Sequence, residues 1–155
     1  MKEIILLLHP AFGVLAILTT VWVFVEALNA SEASESRIKK ASILTTVFIW
    51  LTYIVGGYWY VFYYGSDKAI IKAGPWPFGH NFFMEVKEHV FLMLLLLATY
   101  LPIASFGKIS SSKAARKVVL WTSGLIVALG LSMEGAGSII STSAKIGLLF
   151  KGQGG

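Results

Sequence analysis

Long apolar runs dominate the chain, and short polar stretches separate them. Four runs stand out, at residues 4–28, 41–64, 82–103 and 118–140. At about 1.5 Å of rise per helical residue, each can cross the roughly 30 Å hydrocarbon core of a membrane. Because lipid offers no hydrogen-bonding partners to the backbone, such runs must form helices. The pattern therefore predicts an all-α integral membrane protein, a four-helix up-and-down bundle forming one transmembrane domain over residues 1–155.

Composition supports this prediction. Hydrophobic residues make up 56% of the 155 residues and charged residues only 14%, which is too little polar surface to cover a water-soluble core. The absence of cysteine excludes disulfides, cysteine-ligated iron–sulfur clusters and covalent c-type haem attachment. The net charge of +5 indicates contact with anionic lipid rather than nucleic acid, because most basic residues flank the apolar runs.

The loops predict the orientation of the chain. Basic residues concentrate in residues 29–40 and, without any acidic residue, in residues 107–117. The positive-inside rule places both loops in the cytoplasm, so both termini should lie outside, in a prokaryotic cytoplasmic membrane. The external loop, residues 65–80, should include a rigid, non-helical, aromatic lip. The tail, residues 141–155, is expected either to extend the fourth helix or to lie on the membrane surface.

Ionisable residues at membrane depth are few and gather towards the external side. His9 lies near the start of the first run, His89 about two turns into the third, and Glu134 about two turns before the end of the fourth. In an up-and-down bundle these three positions reach the same leaflet. Ionisable groups at that depth are costly and usually functional. The sequence therefore predicts one site, near the external face.

Helical spacing suggests which residues accompany the histidines. Gly13 follows His9 by one turn and opens a groove of small residues beneath it. On the third helix, Glu85, His89 and Met93 share one stripe. We expect this stripe to face the interior of the bundle.

Three polar neighbours have a simpler interpretation. Lys87 and Glu88 are expected to be solvated in the first turn of the third helix, where the helix dipole favours an acidic residue. His80 is expected to be a loop residue rather than a ligand. These expectations leave Glu85 and His89 as the inward-facing pair.

The first candidate for the site is haem b. His9 and His89 would supply axial nitrogens from opposite faces of the macrocycle, and Gly13 would let the ring approach the backbone. Glu134 arrives at the same depth and would complete the cofactor-binding set. The function predicted on this basis is electron transfer in the membrane, as part of a respiratory complex and with a quinone as a candidate partner.

Two alternatives stay open. His9, His89 and Glu85 offer ligands for non-haem iron, copper or zinc. A third hypothesis is a cofactor-free assembly or transport subunit, in which Glu134, Glu85 and His89 relay protons. All three readings have the lipid bilayer as a partner, together with other membrane subunits or a second copy of the chain.

Four apolar helices carrying the two histidines His9 and His89 resemble small membrane-bound b-type cytochromes and the anchor subunits of respiratory complexes. This resemblance implies bound haem b and electron transfer within a larger assembly. The opening Leu8-His9-Pro10, with a further histidine early in the third helix, also resembles a group of uncharacterised four-helix bacterial membrane proteins. That second resemblance implies no particular activity.

Overall fold

The computed structural model describes residues 2–152, with Lys2 described by its backbone alone. Across these residues the chain forms five α-helices and one short π-helix, and it contains no strand. The α-helices and their bounds are α1 Lys2–Leu28, α2 Glu32–Phe62, α3 Tyr64–Ala73, α4 Glu85–Ser105 and α5 Lys113–Gly152. The π-helix, Gly79–Met84, leads directly into α4. The all-α prediction is therefore confirmed.

Four helical segments in the described chain are long and apolar enough to cross a membrane: α1, α2, α5 and the continuous stretch Gly79–Ser105. Two of them extend well beyond the apolar runs. The second helix begins at Glu32 rather than at residue 41, and α5 continues for 40 residues to Gly152. Of the two expectations for the tail, the structure shows the extended helix, and residues 153–155 lie outside the described residues.

The loop expected at residues 65–80 differs from its prediction, because most of these residues are helical. Tyr64 and Ile71 lie two turns apart on α3 and are 2% and 0% exposed. Since α3 packs against α5, burial of this one face stabilises a helix too short and too polar to appear in the apolar pattern. The non-helical lip is reduced to residues 74–77.

The packing of the long helices places α1 and α4 at opposite corners. In the part of the chain that the structure describes, α1 packs against α2 and α5, and α4 packs against the same two helices. No contact joins α1 to α4 among these residues. A space enclosed by all four helices therefore has α1 and α4 on facing sides.

Small residues occupy many interior positions, and many large apolar side chains lie on the outer surface. On α1 the buried positions follow one another at intervals of three or four residues: Gly13, Ala16, Thr20, Val23 and Ala27. Large side chains such as Val61, Leu96 and Trp121 are more than 70% exposed (72%, 73% and 72%). The small residues let the helices approach one another closely, and many of the large apolar side chains point outward.

Polar contacts hold one end of the structure together. The Glu35 carboxylate accepts hydrogen bonds from the Ser110 backbone N–H (3.0 Å) and hydroxyl (2.6 Å), which ties the connection between α4 and α5 to α2. Arg116, near the start of α5, donates to the Leu28 carbonyl at the end of α1. The opposite end is more open and contains the main cavity.

Candidate functional site

A cavity of about 850 Å³ lies among α1, α2, α4 and α5, towards the end where α1 and α4 begin. Its volume falls within the range of about 300–1,000 Å³ that is typical of small-molecule sites. Most of the wall is apolar or aromatic. The side chains with polar groups that line it are His9, Thr52, Tyr53, Trp59, Tyr60, Lys87, Glu88, Glu134, Ser138 and Ser141. A mainly apolar cavity with a few convergent polar groups is the usual form of a ligand site.

His9 is held in one orientation by α2. Its Nδ1 lies 3.0 Å from the backbone carbonyl oxygen of Thr52. A carbonyl only accepts hydrogen bonds, so Nδ1 carries the proton, and Nε2 of the neutral ring keeps its lone pair. The ring lies directly over Gly56, where an added β-carbon would be 2.5 Å from both Cε1 and Nδ1. Gly56 thus provides the space that the imidazole occupies.

Glu134 reaches from α5 to α1 in a similar way. A β-carbon on Gly13 would overlap its Oε1 atom. Gly13 follows His9 by one helical turn, so the carboxylate and the imidazole lie near each other along α1. The structure therefore brings together three of the residues predicted for the cofactor site: His9, Gly13 and Glu134.

Lys87 is the third ionisable side chain that lies over a glycine of a neighbouring helix. A β-carbon added to Gly137 of α5 would lie 3.1 Å from its Nζ atom. Lys87 is partly buried and lines the cavity, and it interacts electrostatically with Glu134. The expectation that Lys87 is solvated at the surface of the bundle is therefore wrong.

His89 and Glu85 lie elsewhere. The His89 side chain is exposed, its Nδ1 is 2.7 Å from the Glu85 backbone carbonyl oxygen, and it does not line the cavity. Residue 89 follows Lys87 by two positions, which is a rotation of about 200° around the helix. Since Lys87 points into the cavity, His89 must point away from it. The predicted inward stripe of Glu85, His89 and Met93 is thus on the outer side of α4, where Met93 is 58% exposed.

The predicted metal set is not assembled. Among residues 2–152, no three His, Asp or Glu side chains come close enough together to hold a metal ion. His9 lies in the cavity, His89 lies on the outer surface of α4, and the Glu85 carboxylate turns towards His80 (Oε1 to Nε2, 3.7 Å). α4 is rotated so that His89 and Glu85 point away from the cavity, and they therefore cannot share a metal ion with His9.

His80 is buried, contrary to its interpretation as a loop residue. It is 2% exposed and belongs to the π-helix, an irregularity that often occurs at functional positions. Burial raises the pKa of the Tyr64 hydroxyl, and this hydroxyl shares a hydrogen bond with His80 Nδ1 (3.0 Å). The other ring nitrogen, Nε2, lies 3.7 Å from Oε1 of Glu85. The apolar pattern carried no signal for this contact, because it depends on the packing of α3.

Aromatic side chains form much of the cavity wall. The Tyr53 and Phe91 rings stack with centroids 5.5 Å apart and planes inclined by 18°, and both line the cavity. Tyr60 hydrogen-bonds to Glu88, which lines the cavity but is exposed, as expected for a solvated residue of the first turn. Flat apolar surfaces next to a fixed imidazole suit a planar ligand.

The site therefore combines a nitrogen lone pair, an ammonium group, carboxylates and aromatic walls around one cavity. Each of His9, Lys87 and Glu134 depends on a glycine of an adjacent helix for its position. Comparisons with protein-family models, with curated proteins and with solved structures found no match for this chain.

Proposed function

We propose that the protein is an integral membrane protein whose four long helical segments form an up-and-down transmembrane bundle. Four segments have the required length and hydropathy. Exposed side chains such as Leu18 (59%), Ile103 (66%) and Leu131 (58%) would form a large apolar surface in water, and lipid is the solvent that suits it. The basic residues near the connections at 29–31 and 106–112 assign that end to the cytoplasm.

The proposed function of the cavity is to bind haem b through His9, as part of an electron-transfer role. One observation carries this proposal. The His9 imidazole is fixed through Nδ1 to a backbone carbonyl, with its Nε2 lone pair free, at the wall of a mainly apolar cavity of about 850 Å³. Haem-iron and metal-binding histidines are commonly oriented by such a bond on the other ring nitrogen.

The remaining wall suits the same cofactor. Tyr53 and Phe91 offer flat apolar surfaces, and burial away from water favours retention of a hydrophobic macrocycle. His89 has no part in this form of the proposal, because its side chain lies outside the cavity. A haem held by His9 in this position would exchange electrons with a partner in the membrane.

Purification in a mild detergent, after expression with added haem precursor, tests the proposal. We expect an absorption spectrum with a Soret band that shifts on reduction by dithionite, and one haem per chain by pyridine haemochrome assay. His9→Ala should lower the haem content about tenfold or more, because it removes the iron ligand. His89→Ala is the matched control and should retain the wild-type content.

Two results would contradict the proposal. One is a correctly folded wild-type protein without haem, and the other is a His9→Ala variant with the wild-type haem content. If His89→Ala lost haem and His9→Ala did not, the side of α4 that carries His89 would face the cofactor instead.

A further inference from the structure

Lys87 is the side chain that α4 directs towards the space facing His9. α1 and α4 occupy opposite corners, each in contact with α2 and α5. His9 and Lys87 line the same cavity from these two helices. A planar ligand between α1 and α4 would therefore have His9 on one face and Lys87 on the other.

The surroundings of Lys87 favour a defined position for its amine. Gly137 leaves room for Nζ beside α5, at 3.1 Å from the position of an added β-carbon. Glu134 precedes Gly137 by three residues, so it lies on the same side of α5, and it interacts with the lysine. The carboxylate of Glu134 gives the amine a neighbouring acceptor to which its proton can pass.

We propose that Lys87 supplies the second axial ligand to the iron, opposite His9; this inference rests on the proposed function. The iron–nitrogen bond uses the lone pair of the neutral amine. The proton that leaves the ammonium group passes to the Glu134 carboxylate, which shares the cavity, so that no charge has to be moved through lipid. No electron is transferred in this ligation step.

The competing role for Lys87 is an ion pair with Glu134. Replacing Lys87 by arginine distinguishes ion pairing from iron ligation. Lys87→Arg keeps the positive charge and the ability to pair with a carboxylate. It cannot act as a ligand, because the guanidinium group does not lose its proton in proteins. A role limited to charge pairing would therefore survive the replacement, and iron ligation would not.

The experiment compares wild-type protein, Lys87→Arg, Lys87→Ala and His89→Ala, all purified with haem and examined in the ferric state by absorption and electron paramagnetic resonance. We expect low-spin, six-coordinate haem in the wild type and in His89→Ala. Lys87→Arg should retain haem on His9 but lose the low-spin signal. Methylamine added to Lys87→Ala should restore the low-spin signal, because the small amine can occupy the vacated position.

The outcomes separate this inference from the proposed function. Haem that stays low-spin in Lys87→Arg, or Lys87→Ala haem that methylamine does not change, overturns the assignment of Lys87 and leaves haem binding by His9 intact. A folded wild-type protein that binds no haem overturns both. Where Lys87→Arg does not fold, the methylamine response of Lys87→Ala decides the assignment.

Discussion

Two adjacent glycines on α2 allow a direct test of how His9 is held. An alanine β-carbon at position 56 would lie 2.5 Å from two atoms of the His9 ring. At position 57 it would meet no atom within 4 Å. Gly56→Ala should therefore displace the imidazole and break its 3.0 Å hydrogen bond to the Thr52 carbonyl, whereas Gly57→Ala should leave the imidazole and this hydrogen bond in place.

The size of the effect follows from three contributions. Replacing glycine by alanine within a helix favours the helix by about 1 kcal/mol at either position. At position 56 this gain is opposed by about 1–3 kcal/mol for overpacking and by about 1 kcal/mol for the lost hydrogen bond. The free energy of unfolding of Gly56→Ala should thus fall about 2–4 kcal/mol below that of Gly57→Ala.

Unfolding by sodium dodecyl sulfate in mixed micelles, followed by circular dichroism, measures this difference. The two variants have the same composition and the same helix, so effects of detergent on the unfolded state cancel between them. Equal stability of Gly56→Ala and Gly57→Ala would refute the position assigned to His9. A loss of stability in both variants would show that position 57 of α2 is also closely packed, in conflict with the open space beside it.

Two further predictions concern contacts that do not involve the cavity ligand. Thr46→Val removes a 2.6 Å hydrogen bond to the Ala98 carbonyl between α2 and α4 and should lower the free energy of unfolding by about 1 kcal/mol. Thr142→Val loses only a bond within its own helix and should change stability by less than about 0.5 kcal/mol, so equal losses would contradict the prediction. His80→Phe should cost about 1–3 kcal/mol, because it leaves the buried Tyr64 hydroxyl without its hydrogen-bond partner. Tyr64→Phe in the same chain should recover part of that loss, and strictly additive effects would argue against the contact.

The apolar runs predicted the long helices well, and they missed α3 for a physical reason. A membrane-spanning helix must be apolar over its whole length, so its sequence is distinctive without any knowledge of its neighbours. α3 is held by only two buried side chains, Tyr64 and Ile71, against another helix. Short helices of this kind depend on tertiary packing, which the pattern of a single segment does not contain.

The candidate site could be predicted where small residues marked the inner side of a helix, as they do beneath His9 on α1. On α4 the prediction relied on polar residues, since apolar residues surround a membrane helix on every side and do not mark its interior. Ala98 and Ser105 are the small residues of this helix that are fully buried. They lie two turns apart on one side of the helix. Lys87 precedes Ala98 by about three turns and so lies on the same side. The same rotation turns His89 outward. The buried residues of α4, which include Leu94 and Leu101 as well as the two small ones, therefore mark its inner side better than the histidine does. Lys87 lies on that side and shares the cavity with His9.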